Sequence, residues 1–211
     1  MARQEEKGIA IQVPDSELVL EGIFIRGEGD ETPGAVIAPP HPLYGGSMDS
    51  PVLNEVAYAC KKAGYATIRF NWRGVGASAG ERSGEPEAAD ADYRAALAYL
   101  EETVPGAVIA AGYSFGAATA VRAAVGHPRV RRLVLVAPPP ALLDESALSD
   151  FGGAVLIVVG DDDSFAPAAE LEALAADRPR RRLVVVPGAD HFFAAGLAEI
   201  GRAVSEWLDP V

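Results

Sequence analysis

One cysteine, Cys60, stands in 211 residues, so no internal disulfide can form and nothing argues for an oxidising compartment. Histidine is scarce too, at three. With one thiol and those three rings scattered along the chain, no zinc-ligand spacing arises, and the run Asp161-Asp162-Asp163 lacks the alternating ligands of a calcium loop. No metal is expected. Basic residues are in deficit: 18 Lys and Arg against 30 Asp and Glu give a formal net charge of -12, a field that repels nucleic acid and anionic membranes. The local exceptions, HPRVRR at 127–132 and DRPRRRL at 177–183, read as solvated loops. No run of about 18 apolar residues occurs, and the first 17 residues lack the apolar core of a signal peptide. A soluble, cytoplasmic protein with neither nucleic-acid nor membrane partners is expected. GxxxxGK[ST] is absent, which removes a P-loop. Gly74-Val-Gly76 follows an apolar run, but Gly80 falls one residue late for a dinucleotide fingerprint and no helix signal follows it. No cofactor is expected.

What the chain does contain is length for a substantial core, with 49% hydrophobic and 23% charged residues and no repeat or linker. A single domain over 1–211 is the expectation. Short runs rich in Val, Ile and Leu recur between Gly, Pro or charge: GIAIQV, LVLEGIFIR, AVIAPP, YATIRFNW, AVIAAGY, RLVLVAPP, AVLIVVG and RLVVVPG. The later runs are continuous, as in parallel strands covered on both faces, whereas the first two alternate and suit an antiparallel edge. Helical spacing appears at 51–63, 87–102, 117–125, 168–176 and 194–208, with Cys60 on the apolar face of the first. Strands alternating with helices predict an α/β layer architecture with right-handed crossovers.

GxSxG occurs twice, around Ser78 and around Ser114. With 22 Gly and 10 Ser, about one chain in ten of this composition would show the pattern by chance, so context decides. Ser114 follows a strand run at once and precedes a helix of small residues, the setting of a nucleophile elbow; Ser78 lies in RGVGASAGERSGEPE, which reads as a turn. A serine hydroxyl needs a general base, and the base needs an orienting partner. Of the histidines, His127 lies about three helical turns from Ser114 and is expected to cap that helix, and His41 is placed to shape the loop after AVIA. His191, between the last strand run and the last helix, is the candidate base. The acid is expected in VVGDDDSFAP, from Asp161, Asp162 or Asp163, with at least one of them capping or turning the chain.

In this order of nucleophile, acid and base the chain resembles the α/β-hydrolase superfamily over nearly its whole length, and is similar to the small, capless bacterial serine hydrolases within it. The resemblance implies a mostly parallel sheet of about eight strands with helices on both faces and no substantial cap. It also implies Asp163 as the acid, three residues after Gly160 and four before Pro167. PPHPLYGGSMDS takes the place of the HG oxyanion loop, with His41-Pro42 where His-Gly is usual, and RFNWRGVGAS looks like the RGxGxS segment. Proline has no N–H to give. The implied oxyanion donors are therefore the backbone N–H of Phe115 and that of Leu43 or Tyr44, each worth roughly 3 kcal/mol in such sites. Little chain separates RLVLVAPP from AVLIVVG, leaving little room for a lid and favouring short or medium acyl groups. Tyr44, Phe165 and Phe192 are candidate substrate-binding residues, with Leu43, Leu142, Leu143 and Phe193 as further candidate pocket walls, most of which could equally be core. The expected activity is hydrolysis of a small-molecule carboxylic ester or thioester through an acyl-enzyme. A small-peptide or amide hydrolase and a catalytically silent binding module remain as alternatives.

Overall fold

Residues 6–176 and 178–208 are described by the structure, a computed structural model. Among the described residues eight strands form in chain order: β1 (Lys7–Gln12), β2 (Val19–Ile25), β3 (Gly34–Ala38), β4 (Ala66–Phe70), β5 (Val108–Tyr113), β6 (Val130–Val136), β7 (Ala154–Gly160) and β8 (Arg181–Val186). They join into one sheet in the order β1-β2-β4-β3-β5-β6-β7-β8. β1 pairs antiparallel with β2, and β2 antiparallel with β4; every later pairing is parallel. The alternation of the first two apolar runs against the continuity of the rest thus follows the change from antiparallel edge to parallel interior. β3, β4 and β5 are buried at every position.

Among the same residues six helices accompany the strands: α1 (Pro51–Lys62), α2 (Pro86–Thr103), α3 (Phe115–Ala124), α4 (Glu145–Asp150), α5 (Ala168–Ala175) and α6 (Leu197–Leu208). From β3 the chain steps through α1 to β4 on one side, then returns through α2 to β5 on the other. Right-handed crossovers therefore set α1 and α2 on opposite faces. α6 packs beside α1, and α3 beside α2. Among the described residues no helix is long and apolar enough to cross a membrane. Cys60 is fully buried in α1, where loss of water pushes its thiol up to about 12.

Three local features depart from the sequence expectations. α6 starts at Leu197, three residues later than its apolar spacing implied, because the Asp190 carboxylate accepts from the N–H groups of Phe192 and Ala194, and Gly196 turns at φ 78°. The six-residue α4 arises where no helix was expected, capped by Asp144 accepting from Ala147 N–H at 2.9 Å. The basic stretches are solvated loops only in part: Arg131, Arg178, Arg180 and Arg182 are exposed, whereas Arg129, Arg132 and Arg181 are half-buried against the fold. The Arg129 guanidinium donates to the carbonyls of Glu101, Val104 and Gly106, where α2 ends and its last carbonyls lack helical partners. Arg132 lies over the Trp207 ring, 5.3 Å from its centre, and Arg181 donates to the carbonyls of Leu148 and Leu174. Asp177, in the second stretch, lies outside the described residues. His127 contributes its backbone N–H to the end of α3, bonding Ala124, while its ring faces Glu101 at 3.5 Å.

The carboxyl ends of β3, β5, β7 and β8 open toward one rim of the sheet, since these strands run parallel. Loops leaving that rim carry His41, Ser114, Asp163 and His191. Such a rim is where open α/β sheets bind ligands.

Candidate active site

Ser114 joins β5 directly to α3 at φ 55° and ψ −118°, a conformation that side-chain-bearing residues rarely hold. The bend brings strand and helix so close that a Cβ at Gly112 would sit 2.2 Å from the Gly116 carbonyl oxygen. One at Gly116 would sit 2.5 Å from the carbonyl oxygens of Ala38 and Pro39 in the neighbouring β3 loop. Both glycines are therefore demanded by backbone contact. The Ser114 N–H is tied to the Val136 carbonyl of β6 at 2.8 Å, which anchors the bend to the sheet.

From this bend the serine hydroxyl meets the imidazole of His191, with Oγ 2.9 Å from Nε2. On the far side of the ring, Nδ1 is 2.8 Å from Oδ2 of Asp163. All three side chains are buried. The other carboxylate oxygen, Oδ1, accepts from the backbone N–H groups of Phe165 at 2.9 Å and Ala166 at 2.8 Å. A carboxylate accepts only, so the ring's single N–H lies on Nδ1 and the Nε2 lone pair faces Ser114. The structure brings together the three residues expected from sequence.

The three consecutive aspartates divide into distinct positions. Asp161 accepts from Gly188 N–H at 2.6 Å and so ties the acid loop to the start of the histidine loop. The Asp162 side chain is exposed to solvent. Only Asp163 turns inward.

A residue that pattern-reading passed over holds His191 from beneath. Tyr113, the variable position inside GYSFG, is buried and donates its hydroxyl to the His191 backbone carbonyl at 2.7 Å. Burial, with the carboxylates of Asp163 and Asp190 nearby, pushes its phenol well above the usual range, so it remains a donor. Tyr113→Phe is expected to lower stability in urea unfolding by about 1 kcal/mol. Turnover should fall by about tenfold as His191 loosens. No local sequence signal marks this role, because donor and acceptor are 78 residues apart.

On the other side of Ser114, the Phe115 N–H belongs to the first turn of α3, where N–H groups have no helical acceptor. The second candidate donor is differently situated. His41 starts the 3₁₀ turn Pro42–Tyr44, and its Nδ1 accepts from the Leu43 N–H at 3.2 Å while its carbonyl accepts from the Tyr44 N–H at 3.1 Å. Both alternatives for the second oxyanion donor, the N–H of Leu43 and that of Tyr44, are thus bonded to His41 in this structure. Burial lowers His41 below the ordinary imidazole range, which keeps the Nδ1 lone pair available at neutral pH. The indole N–H of Trp72 lies within hydrogen-bond distance of the carbonyls of Pro39 and Pro40 and holds the loop's entry.

Ser78, the serine of the second GxSxG, is consumed structurally. Its Oγ donates to the Asn71 carbonyl and accepts from the Glu21 N–H, each at 2.9 Å, in a turn. The neighbouring Arg73 is fastened to the buried Asp92 of α2 by Nε and Nη2, the latter at 2.7 Å from Oδ1. Of the expected pocket residues, Leu43, Tyr44, Leu142, Phe165 and Phe192 are exposed, but Phe193 is buried, with its ring edge-on to Tyr113. Phe193 is core: at φ 53° the loop turns it inward, while Phe192 turns outward.

A family model described as serine aminopeptidase, S33, matches residues 43–154, just over half of the chain. The chain belongs to this family of α/β-hydrolases. An α/β serine hydrolase homologue from Coxiella burnetii is 32% identical to this α/β-hydrolase, covers 99% of each chain and superposes with a TM-score of 0.84. A lid-less α/β serine hydrolase from Xanthomonas campestris is 26% identical, over 100% of this chain and 99% of its own, with a TM-score of 0.81. An uncharacterized protein of Rickettsia prowazekii is 30% identical over 201 residues, 90% of this chain and 84% of the relative. This α/β-hydrolase likewise has no cap: residues 137–153, between β6 and β7, hold only a 3₁₀ turn and α4. Membership in the family supports hydrolase activity in general.

Proposed function

We propose that this α/β-hydrolase cleaves small carboxylic esters or thioesters through an acyl-enzyme on Ser114. The observation that carries the reading is the unbroken run from Ser114 Oγ through the His191 ring to Asp163, with contacts of 2.9 and 2.8 Å. In the proposed reaction Oγ attacks the carbonyl carbon as its proton passes to Nε2, and the carbonyl π pair moves onto oxygen. The N–H of Phe115 meets that oxyanion, and the Leu43 N–H joins it by leaving His41. When the pair returns, the carbon–oxygen bond of the ester breaks and the departing alcohol takes the proton from Nε2. Water then enters the vacated place, gives a proton to Nε2 and releases the acid, and Ser114 recovers its proton. Asp163 holds the ring's tautomer and balances its charge while the ring is protonated.

An open site supports hydrolysis over acyl transfer, since water has free access to the acyl-enzyme. A fluorophosphonate probe tests the nucleophile: it is expected to label the native protein, and digestion followed by mass spectrometry should find the adduct on the peptide containing Ser114. Absence of any adduct would leave the fold as a binding module. The family's description as serine aminopeptidase favours a second reading, amide hydrolysis. Butyrate esters and anilides compared on the same preparation separate the two, with the ester expected to turn over faster.

A further inference from the structure

Two separate sets of rings flank Ser114. On the oxyanion-loop side the Tyr44 ring lies tilted against His41 at 4.7 Å, His41 tilted against Phe115 at 4.6 Å, and Phe115 edge-on to Trp72 at 5.7 Å. On the base side the His191 ring is met by Tyr113 at 5.7 Å, Phe165 at 4.9 Å and Phe192 at 5.6 Å, the last two lying 6.4 Å from each other. Tyr113 is buried, yet Phe165 is 60% exposed and Phe192 68% exposed. Two phenyl rings share this exposure at one spot, one from the loop after β7 and the other from the loop after β8. Apolar surface left open in that way marks a place where something binds.

The chemistry says which part of a substrate reaches it. A departing alcohol must take its proton from His191 Nε2, so its oxygen has to come within hydrogen-bond reach of that nitrogen. The rest of the alcohol then extends across whatever borders the imidazole. Here that border is Phe165 and Phe192, whereas the acyl carbonyl must lie toward Phe115 and the oxyanion loop. Charge narrows the class further. Residues 160–167 and 187–194, the two loops that carry these rings, contain four aspartates and no Lys or Arg, so a negatively charged alcohol is disfavoured.

Resting on the hydrolase reading above, we propose that Phe165 and Phe192 form an alcohol subsite, and that the preferred substrates are esters of flat, apolar, uncharged alcohols of the aryl or benzyl type. The two rings then select at acylation alone. Once the alcohol has left, water occupies its place and touches neither ring to any effect.

The test uses 2-naphthyl butyrate and hexafluoroisopropyl butyrate, which share an acyl group and have alcohols of similar acidity but differ in flat apolar area. The native enzyme is expected to favour the naphthyl ester in kcat/KM by about tenfold or more. Phe192→Ala, Phe165→Leu and the double variant should bring that ratio toward one, and pre-steady-state breakdown of the butyryl-enzyme should follow the native rate. The main-chain bond from Phe165 to Asp163 survives these side-chain changes. Three results would overturn the proposal: no naphthyl preference in the native enzyme; equal slowing of both esters and of butyryl-enzyme breakdown, which would make the rings mere supports of His191; or a native dimer that sedimentation shows falling apart in the variants with selectivity unchanged, which would make the rings a contact between copies. A butyryl-enzyme that forms without alcohol selectivity sinks this inference alone. Failure of both esters to acylate Ser114 sinks the ester-hydrolase reading and this inference with it.

Discussion

Ser114→Ala is expected to abolish fluorophosphonate labelling and to cut ester turnover by roughly 10⁶-fold, leaving the fold in place. The size follows from the role proposed for the hydroxyl: it would form the covalent intermediate, and without it His191 and Asp163 would have no nucleophile to serve. Loss of one buried hydrogen bond from Oγ to Nε2 costs the folded state only about 1 kcal/mol. Alanine carries the same Cβ at φ 55° as serine, so the strain of the bend is unchanged. Circular dichroism should superpose on the native spectrum while activity disappears. Retention of activity within tenfold would mean that another group performs the attack. Ser78→Ala is the natural control, because that hydroxyl is committed to Asn71 and Glu21 and its removal should lower stability rather than stop chemistry.

Asp163→Asn is the second large effect, a loss of about 10⁴-fold in kcat, and it comes from a tautomer rather than from a missing contact. Oδ1 of Asp163 is held by two backbone N–H donors, from Phe165 and Ala166. An asparagine in the same place must turn its carbonyl oxygen to those donors, which presents its NH₂ group to His191 Nδ1. To accept that N–H, Nδ1 must give up its own hydrogen. The ring then carries its proton on Nε2, which can no longer accept from Ser114. Because shape and hydrogen-bond count are preserved, urea unfolding should show a small change beside the kinetic one. A variant within tenfold of native kcat would show that the ring keeps its working tautomer without help from residue 163.

Much of this arrangement can be read along the chain, and the part that cannot has a common cause. The eight apolar runs become the eight strands: interior strands such as β3 and β7, buried on both faces, admit little but Val, Ile, Leu, Ala and Gly, while the edge pair β1 and β2 keeps a partly exposed face. The elbow is legible because its constraint is local: Gly112 and Gly116 are within two residues of Ser114, and the contacts that exclude a Cβ arise as soon as strand turns into helix. Placing Asp163 ahead of Asp161 and Asp162 depended on family resemblance. Its physical basis, two backbone donors on one oxygen and His191 on the other, exists only once the loop has closed. Tyr113 beneath His191, Trp72 behind the prolines and Arg129 at the end of α2 gave no signal, because each reaches a carbonyl about 20 or more residues away.

By itself, then, the amino-acid order determined which segments are strands, which serine occupies the strained turn, and which histidine lies in a loop at the right end of the sheet. These are consequences of neighbours within one strand or one turn. Tertiary structure decided what each polar group meets: that the N–H of Leu43 rests on His41, that Phe193 is core while Phe192 faces solvent, and that two phenyl rings gather beside His191. Hydrogen bonds and ring contacts act over a few ångströms, and only the parallel register of β5, β7 and β8 brings residues separated by up to 78 positions within that range.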